Sequence, residues 1–198
     1  MNVLIVYAHP DNVNSFNAAL KNVAEGSLSA EGHRVEVSDL YRMNFKAVGD
    51  LSDQPSPGQF APDIKAEMEK FEKADLVIFN FPLWWFSVPA ILKGWVDRVF
   101  ASGFAYGHNK GMYDRGPFKG KKALLTFTTG SPEDSYGEKE RHGKIEDMLF
   151  HIHHGMFRFV GMQVLEPFIA FGPGRVTEEE RKKYLEDYSR RLKRIFEE

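Results

Sequence analysis

The chain has 198 residues, 42% of them hydrophobic and 27% charged, with 26 Lys and Arg against 28 Asp and Glu for a net charge of −2. That length favours one domain with a substantial core, and 17 Phe at this apolar fraction exclude a disordered chain. A pI near 6.4 removes the usual electrostatic basis for binding nucleic acid or an anionic membrane, and the lack of cysteine excludes disulfide scaffolds, thiolate zinc sites, iron–sulfur clusters and cysteine nucleophiles.

The first apolar run, residues 3–8, reads as a strand buried on both faces. It has no basic flank and is too short for a signal peptide. Nothing later approaches the roughly 18 consecutive apolar residues of a membrane span, so a cytoplasmic protein without membrane insertion is expected. Residues 16–30 place Phe16, Leu20, Val23, Ala24 and Leu28 at helical spacing. Residues 35–40 form a weaker strand, followed by an irregular stretch over residues 41–62. Ile64, Met68 and Phe71 mark a second helix, and residues 76–81 are the clearest buried strand.

A clean helical stripe then runs over residues 88–100, through Ile91, Leu92, Trp95, Val96 and Val99. A loop rich in Gly and aromatics, residues 102–120, leads to a strand over 123–128. A helical region over about 144–160 precedes a fifth strand over 163–170. The last helix opens on a capping box, Thr177 with Glu180, and carries Tyr184, Leu185, Tyr188, Leu192, Ile195 and Phe196.

Five strands, each followed by a helix, imply a parallel sheet with helices on both faces, because parallel strands need crossover connections. The size suits a single flavodoxin-like α/β domain, doubly wound, five-stranded, with order 2-1-3-4-5. Ligands in such sheets sit beyond the carboxyl ends of the strands near the switch point. The loops after strands one, three and four should therefore share one site.

Those loops are HPDNVNSFN, PLWWFSVPA and TTGSPEDSYGEKERHG. Ser15 or Asn14 can cap the first helix and leave amides free for a phosphate, or serve as an ordinary cap. Trp84, Trp85 and Phe86 cannot all point inward, so at least one lines a pocket or an interface. Thr128, Thr129, Gly130 and Ser131 offer hydroxyls and approachable amides. Tyr136 and His142 follow, at a spacing without meaning of its own. In HIHHG, His151 and His154 share a helical face at i, i+3, but no companion motif marks a metal site.

Together these loops, with ADLVIFNFPLWWFSVPAILKGWVDRVF from Ala74, FAYGHNKGMYDRGPFKGKKA from Phe104 and GMQVLEPFIAFG from Gly161, resemble the NAD(P)H:quinone oxidoreductases of the flavodoxin-like superfamily. The resemblance runs over nearly the whole chain. It implies a flavoprotein that passes electrons from NADH or NADPH to a quinone-like acceptor in a two-electron, ping-pong reaction. It also implies FAD rather than FMN, and a homodimer with shared active sites.

By position, His9, Ser15, Phe16 and Asn17 would hold the pyrophosphate and ribityl chain. Pro82, Leu83, Trp84, Trp85 and Phe86 would run along the isoalloxazine, and Thr128, Thr129, Gly130 and Ser131 would meet its other edge. Tyr136 and His142 match the pair that stabilises reduced flavin, Arg181 lies near the adenosine end, and Gln54 is a further flavin contact. Tyr106 and His108 match the rim of the substrate cavity, supplied by the second subunit, with Phe86 beside them. The chain departs from the common pattern at Trp84, often Gln, at His108, often Tyr, and at Ser131, often Gly. Some relatives are ancillary subunits of potassium-efflux transporters, a regulatory alternative; an FMN-dependent reductase is the nearest enzymatic one.

Overall fold

A computed structural model describes residues 1–49 and 60–195. The elements run β1 (Asn2–Tyr7), α1 (Phe16–Ala30), β2 (Arg34–Asp39), α2 (Pro62–Lys73), β3 (Leu76–Pro82), α3 (Ala90–Val99), β4 (Lys122–Thr128), α4 (Ile145–Ile152), β5 (Gln163–Val164), β6 (Phe168–Ala170) and α5 (Glu178–Arg194). All strand pairs are parallel, in the order β2-β1-β3-β4-β5, with β6 also pairing β4. This is the expected flavodoxin-like, doubly wound arrangement, with three corrections.

The expected strand over 163–170 is two short strands on the same neighbour. Pro167 lies between them and has no N–H to donate to a ladder. The expected helix over about 144–160 is α-helical only through Ile152 and widens into a π-helical turn over His153–Arg158. The helix expected from residue 88 begins at Ala90, because Pro89 occupies the cap with an extended backbone. Phe196 and Gln54 lie outside the described residues.

Side chains in a strand alternate between faces, and the buried strands use both. Leu4, Val6, Ala8, Val77, Phe79, Phe81, Leu125 and Phe127 pack toward α2, α3 and α4. Val3, Ile5, Tyr7, Leu76, Ile78 and Leu124 pack toward α1 and α5 with Leu20, Ala24, Leu28, Tyr188 and Leu192. Continuous apolar runs in β1 and β3 follow from this burial on both sides. Under α2, the buried Glu67 carboxylate is held by the Trp95 indole N–H at 2.8 Å and by Lys70 at 2.6 Å.

Period-two alternation also sets where the strands' polar groups go. Asn80 of β3 and Thr126 and Thr128 of β4 fall on the face toward α1 and α5, all buried. Thr126 Oγ1 donates to Tyr188 Oη at 2.9 Å, and Thr128 Oγ1 donates to Asn17 Oδ1 at 2.8 Å. No helix among the described residues is long and apolar enough to cross a membrane.

Candidate active site

Register brings three strand ends level. Tyr7 pairs with Asn80, and Pro82 pairs with Thr128. Ala8 N–H then donates to Asn80 O at 2.9 Å, and Leu83 N–H donates to Thr128 O at 2.8 Å. The loops that follow therefore open from one edge of the sheet.

In the first loop Ser15 caps α1, its hydroxyl accepting from Ala18 N–H at 3.1 Å. The same hydroxyl donates to Asp11 O and meets Tyr7 Oη at 3.1 Å. Burial pushes Tyr7 up to about 12, so the phenol stays protonated as a fixed strut. Asp11 receives Asn14 N–H at 2.8 Å and Val13 N–H at 3.1 Å, which hold its carboxyl below the ordinary range and engage its charge within the loop. His9 Nδ1 lies 3.1 Å from Asp11 N and 3.0 Å from Asp11 O, which fixes the ring against the loop backbone. The helix offers no intrahelical acceptor for the amides of Phe16 and Asn17.

In the second loop Trp84 and Ser87 exchange backbone hydrogen bonds, 3.1 and 3.0 Å, across a two-residue turn. Its central residues, Trp85 and Phe86, both have positive φ, 51° and 58°. Such turns favour Asn and Gly, and a left-handed conformation costs roughly 1–2 kcal/mol per ordinary residue. None of the three aromatics is buried: Trp84 is 42% exposed, Trp85 96% and Phe86 42%. Strain and exposure together at two large aromatics mark a place where something other than the chain's own core is expected to pack.

The third loop is pinned from below. Thr129 N–H donates to Ala170 O, Thr129 Oγ1 donates to Ser131 O at 2.7 Å, and Arg175 Nε donates to Gly130 O at 2.9 Å. Ser131 Oγ lies 2.9 Å from His142 Nε2. The imidazole packs between Tyr136, with ring centres 5.1 Å apart, and Phe86, at 5.4 Å.

Two cavities meet at this edge, sharing His9 and Thr128. One, about 330 Å³, is walled by Pro82, Leu83, Trp84, Trp85, Thr129 and Gly130. The other, about 700 Å³, runs past Ser15, Phe16 and Asn17 to Arg181, Lys182 and Leu185 of α5, with Pro173 and Gly174. Of the expected site residues, His9, Ser15, Phe16, Asn17, Pro82, Leu83, Trp84, Trp85, Thr128, Thr129, Gly130 and Arg181 line these two cavities. Phe86, Ser131, Tyr136 and His142 form a cluster beside the smaller cavity rather than its wall. Tyr106 and His108, both in the loop after α3, line neither cavity.

Sequence reasoning missed Lys182 and Leu185, although Glu178, Arg181, Lys182 and Leu185 sit at i, i+3, i+4 and i+7 behind the capping box, one helical face. It also missed Asn80, the lone amide in an otherwise apolar strand. His151 Nε2 lies 3.1 Å from Ser87 Oγ, and His154 stacks on Phe150 with ring centres 4.9 Å apart.

The donors present fit a flavin nucleotide. Phosphate would find the α1 terminus, and a flat ring would find the slot beside Trp84. Gly130 supplies a further indication: its backbone has no positive φ, and a Cβ there would meet nothing of the chain within 4 Å. The fold thus leaves the Gly130 amide open to close approach, which a ligand ring could use.

Residues 1–192 match the family model for the flavodoxin-like fold, and the chain belongs to that family. It is 44% identical to human ribosyldihydronicotinamide dehydrogenase [quinone] over 215 residues, covering 99% of this chain and 92% of that one. It is 42% identical to rat NAD(P)H dehydrogenase [quinone] 1 over 214 residues, covering 98% and 77%. A solved chain from Klebsiella pneumoniae superposes with a TM-score of 0.91 at 40% identity, covering 98% of this chain and 85% of that one.

Proposed function

We propose that the chain is a flavin-dependent NAD(P)H:quinone oxidoreductase that binds FAD. The observation that carries this reading is the continuous opening over three strand ends, with a phosphate-accepting helix terminus on one side and an aromatic slot on the other. The names of the curated relatives agree with it. When bound, the flavin supplies two-electron transfer between a reduced nicotinamide and a quinone.

The protein's part is to hold and orient. Phe16 and Asn17 amides would receive a pyrophosphate, with the positive end of α1 behind them. Arg181 and Lys182 would meet its far side. A single terminal phosphate would end at the helix, whereas the larger cavity continues along α5; that extra length favours FAD over FMN. Leu83, Trp84 and Trp85 would cover the ring and exclude water from one face. Tyr136 and His142 would donate hydrogen bonds to the ring edge where negative charge collects, an interaction of about 1.5–3 kcal/mol when the acceptor is charged.

We also propose a two-fold dimer, which would bring Tyr106 and His108 of the second copy over the aromatic slot. Trp85, Tyr106, Tyr113 and Phe150 are each exposed in the single chain, large apolar side chains of the kind that pairing covers. The working compartment is proposed to be the cytoplasm, where reduced nicotinamides are supplied.

The test is oxidation of NADH, NADPH and ribosyldihydronicotinamide by purified, FAD-loaded protein with menadione as acceptor. Turnover with at least one donor, dependent on added quinone, supports the reading; flavin-loaded protein that oxidises none of the three refutes it.

A further inference from the structure

We propose that Ser131 is a positioning residue for His142, fixing which imidazole nitrogen carries the proton; this rests on the reading that His142 faces a bound flavin. Ser131 Oγ is 2.9 Å from His142 Nε2 and partly buried. The serine has little freedom to leave: its own carbonyl accepts from Thr129 Oγ1 at 2.7 Å, and the preceding carbonyl, that of Gly130, accepts from Arg175 Nε at 2.9 Å. The imidazole is equally confined. Its main-chain N–H donates to Ser135 O at 3.0 Å, and its ring lies between Tyr136 and Phe86.

Tyr136 and His142 therefore meet as rings, with centres 5.1 Å apart and planes inclined 45°, while the hydrogen bond of Nε2 goes to the serine. The hydrogen bond at one imidazole nitrogen sets the tautomer of the other. With the Ser131 hydroxyl donating to Nε2, neutral His142 carries its proton on Nδ1, and Nδ1–H becomes the ring's donor. Without the hydroxyl both tautomers are open, and only a fraction of molecules present the donor where it is used.

The experiment compares the parent, Ser131→Ala and Ser131→Thr in two readouts. Nitrogen-15 ring correlation spectra of His142, with and without FAD, report the tautomer; stopped-flow mixing with NADPH reports the limiting rate of flavin reduction. The expected result is one Nδ1–H tautomer in the parent and in Ser131→Thr. In Ser131→Ala the tautomers mix, and the limiting rate falls about tenfold at unchanged NADPH affinity. An unchanged tautomer in Ser131→Ala overturns the proposal, as does an unchanged limiting rate. Failure of the underlying functional reading looks different: the cofactor-free ring spectra still show the serine controlling the tautomer, while His142→Ala reduces flavin at the parent rate.

Discussion

Asn17 and Asn80, 63 residues apart in the chain, are joined amide to amide. Asn17 Nδ2 donates to Asn80 Oδ1 at 2.9 Å, and Asn80 Nδ2 donates back to Asn17 O at 3.1 Å. Thr128 completes the clasp through Asn17 Oδ1. The first turn of α1, where a phosphate would bind, is thereby tied to β3 and β4, where a flavin ring would lie. Asn17 is 2% exposed and Asn80 fully buried, so neither amide can turn to water instead.

Asn80→Leu deletes both amide bonds and leaves Asn17 short of partners in a dry site. The expected loss of stability is about 1–3 kcal/mol in urea unfolding. FAD affinity should fall with it, because the amides of Phe16 and Asn17 lose their fixed position relative to the ring slot. Unchanged affinity in a destabilised variant would separate the clasp from cofactor binding.

The turn at Trp85 and Phe86 makes the opposite prediction for stability. Trp85 is 96% exposed and held at φ 51°, so its side chain contributes little to the fold while its backbone is strained. Asparagine tolerates the left-handed region. Trp85→Asn should raise the stability of the cofactor-free protein by roughly 1 kcal/mol and weaken FAD binding. Chemical unfolding of the cofactor-free form and fluorescence titration with FAD read the two effects separately.

On the proposed reading, Arg181 should distinguish the two nucleotides. It lines the larger cavity from α5, whereas Ser15, Phe16 and Asn17 line it from the α1 terminus. Arg181→Ala is expected to raise the Kd for FAD about tenfold, or ~1.4 kcal/mol, and to leave that for FMN unchanged. Isothermal titration with both nucleotides checks this.

The π-helical turn carries a pH signature. His153 is half-buried, and burial followed by the nearby Arg158 charge pushes its pKa below the ordinary value; its Nε2 has no hydrogen-bond partner among the described residues. A histidine whose pKa is lower in the fold than in the unfolded chain binds its proton more readily on unfolding, so around and below about pH 6.5 the unfolded state carries more protons. Stability should therefore fall as pH drops from 7.5 to 5.5, and His153→Gln should flatten that slope. The depressed carboxyls of Asp11 and Glu180 act in a lower window, as pH falls below about 4.

Much of this architecture is legible in the sequence because burial on both sheet faces writes itself as unbroken apolar runs. Residues 3–8 and 76–81 need no structure to be read as central strands, and their order with the helices leaves few topologies. The split of the last strand was missed although its signal is in the sequence: Glu166 and Pro167 interrupt the apolar residues of 163–170, and Pro167 has no N–H for a ladder. The π-helical turn at His153–Arg158, by contrast, preserves apolar spacing while changing the hydrogen bonding. At the site, the loops were legible by position alone. The pairings within them were not: that His142 bonds to Ser131, and Asn17 to Asn80, depends on loop geometry and cross-strand register rather than on local pattern. Tyr106 and His108 belong to the same lesson, because one chain does not bring them to its own cavities.

The most direct test of the account is whether the protein takes up FAD at the opening above β1, β3 and β4. Titration of cofactor-free protein with FAD, followed by absorbance and by mass spectrometry of the complex, should give one FAD per chain with a red-shifted and structured flavin band. Protein that stays colourless after exposure to both FAD and FMN, with no change in the fluorescence of either, would contradict it.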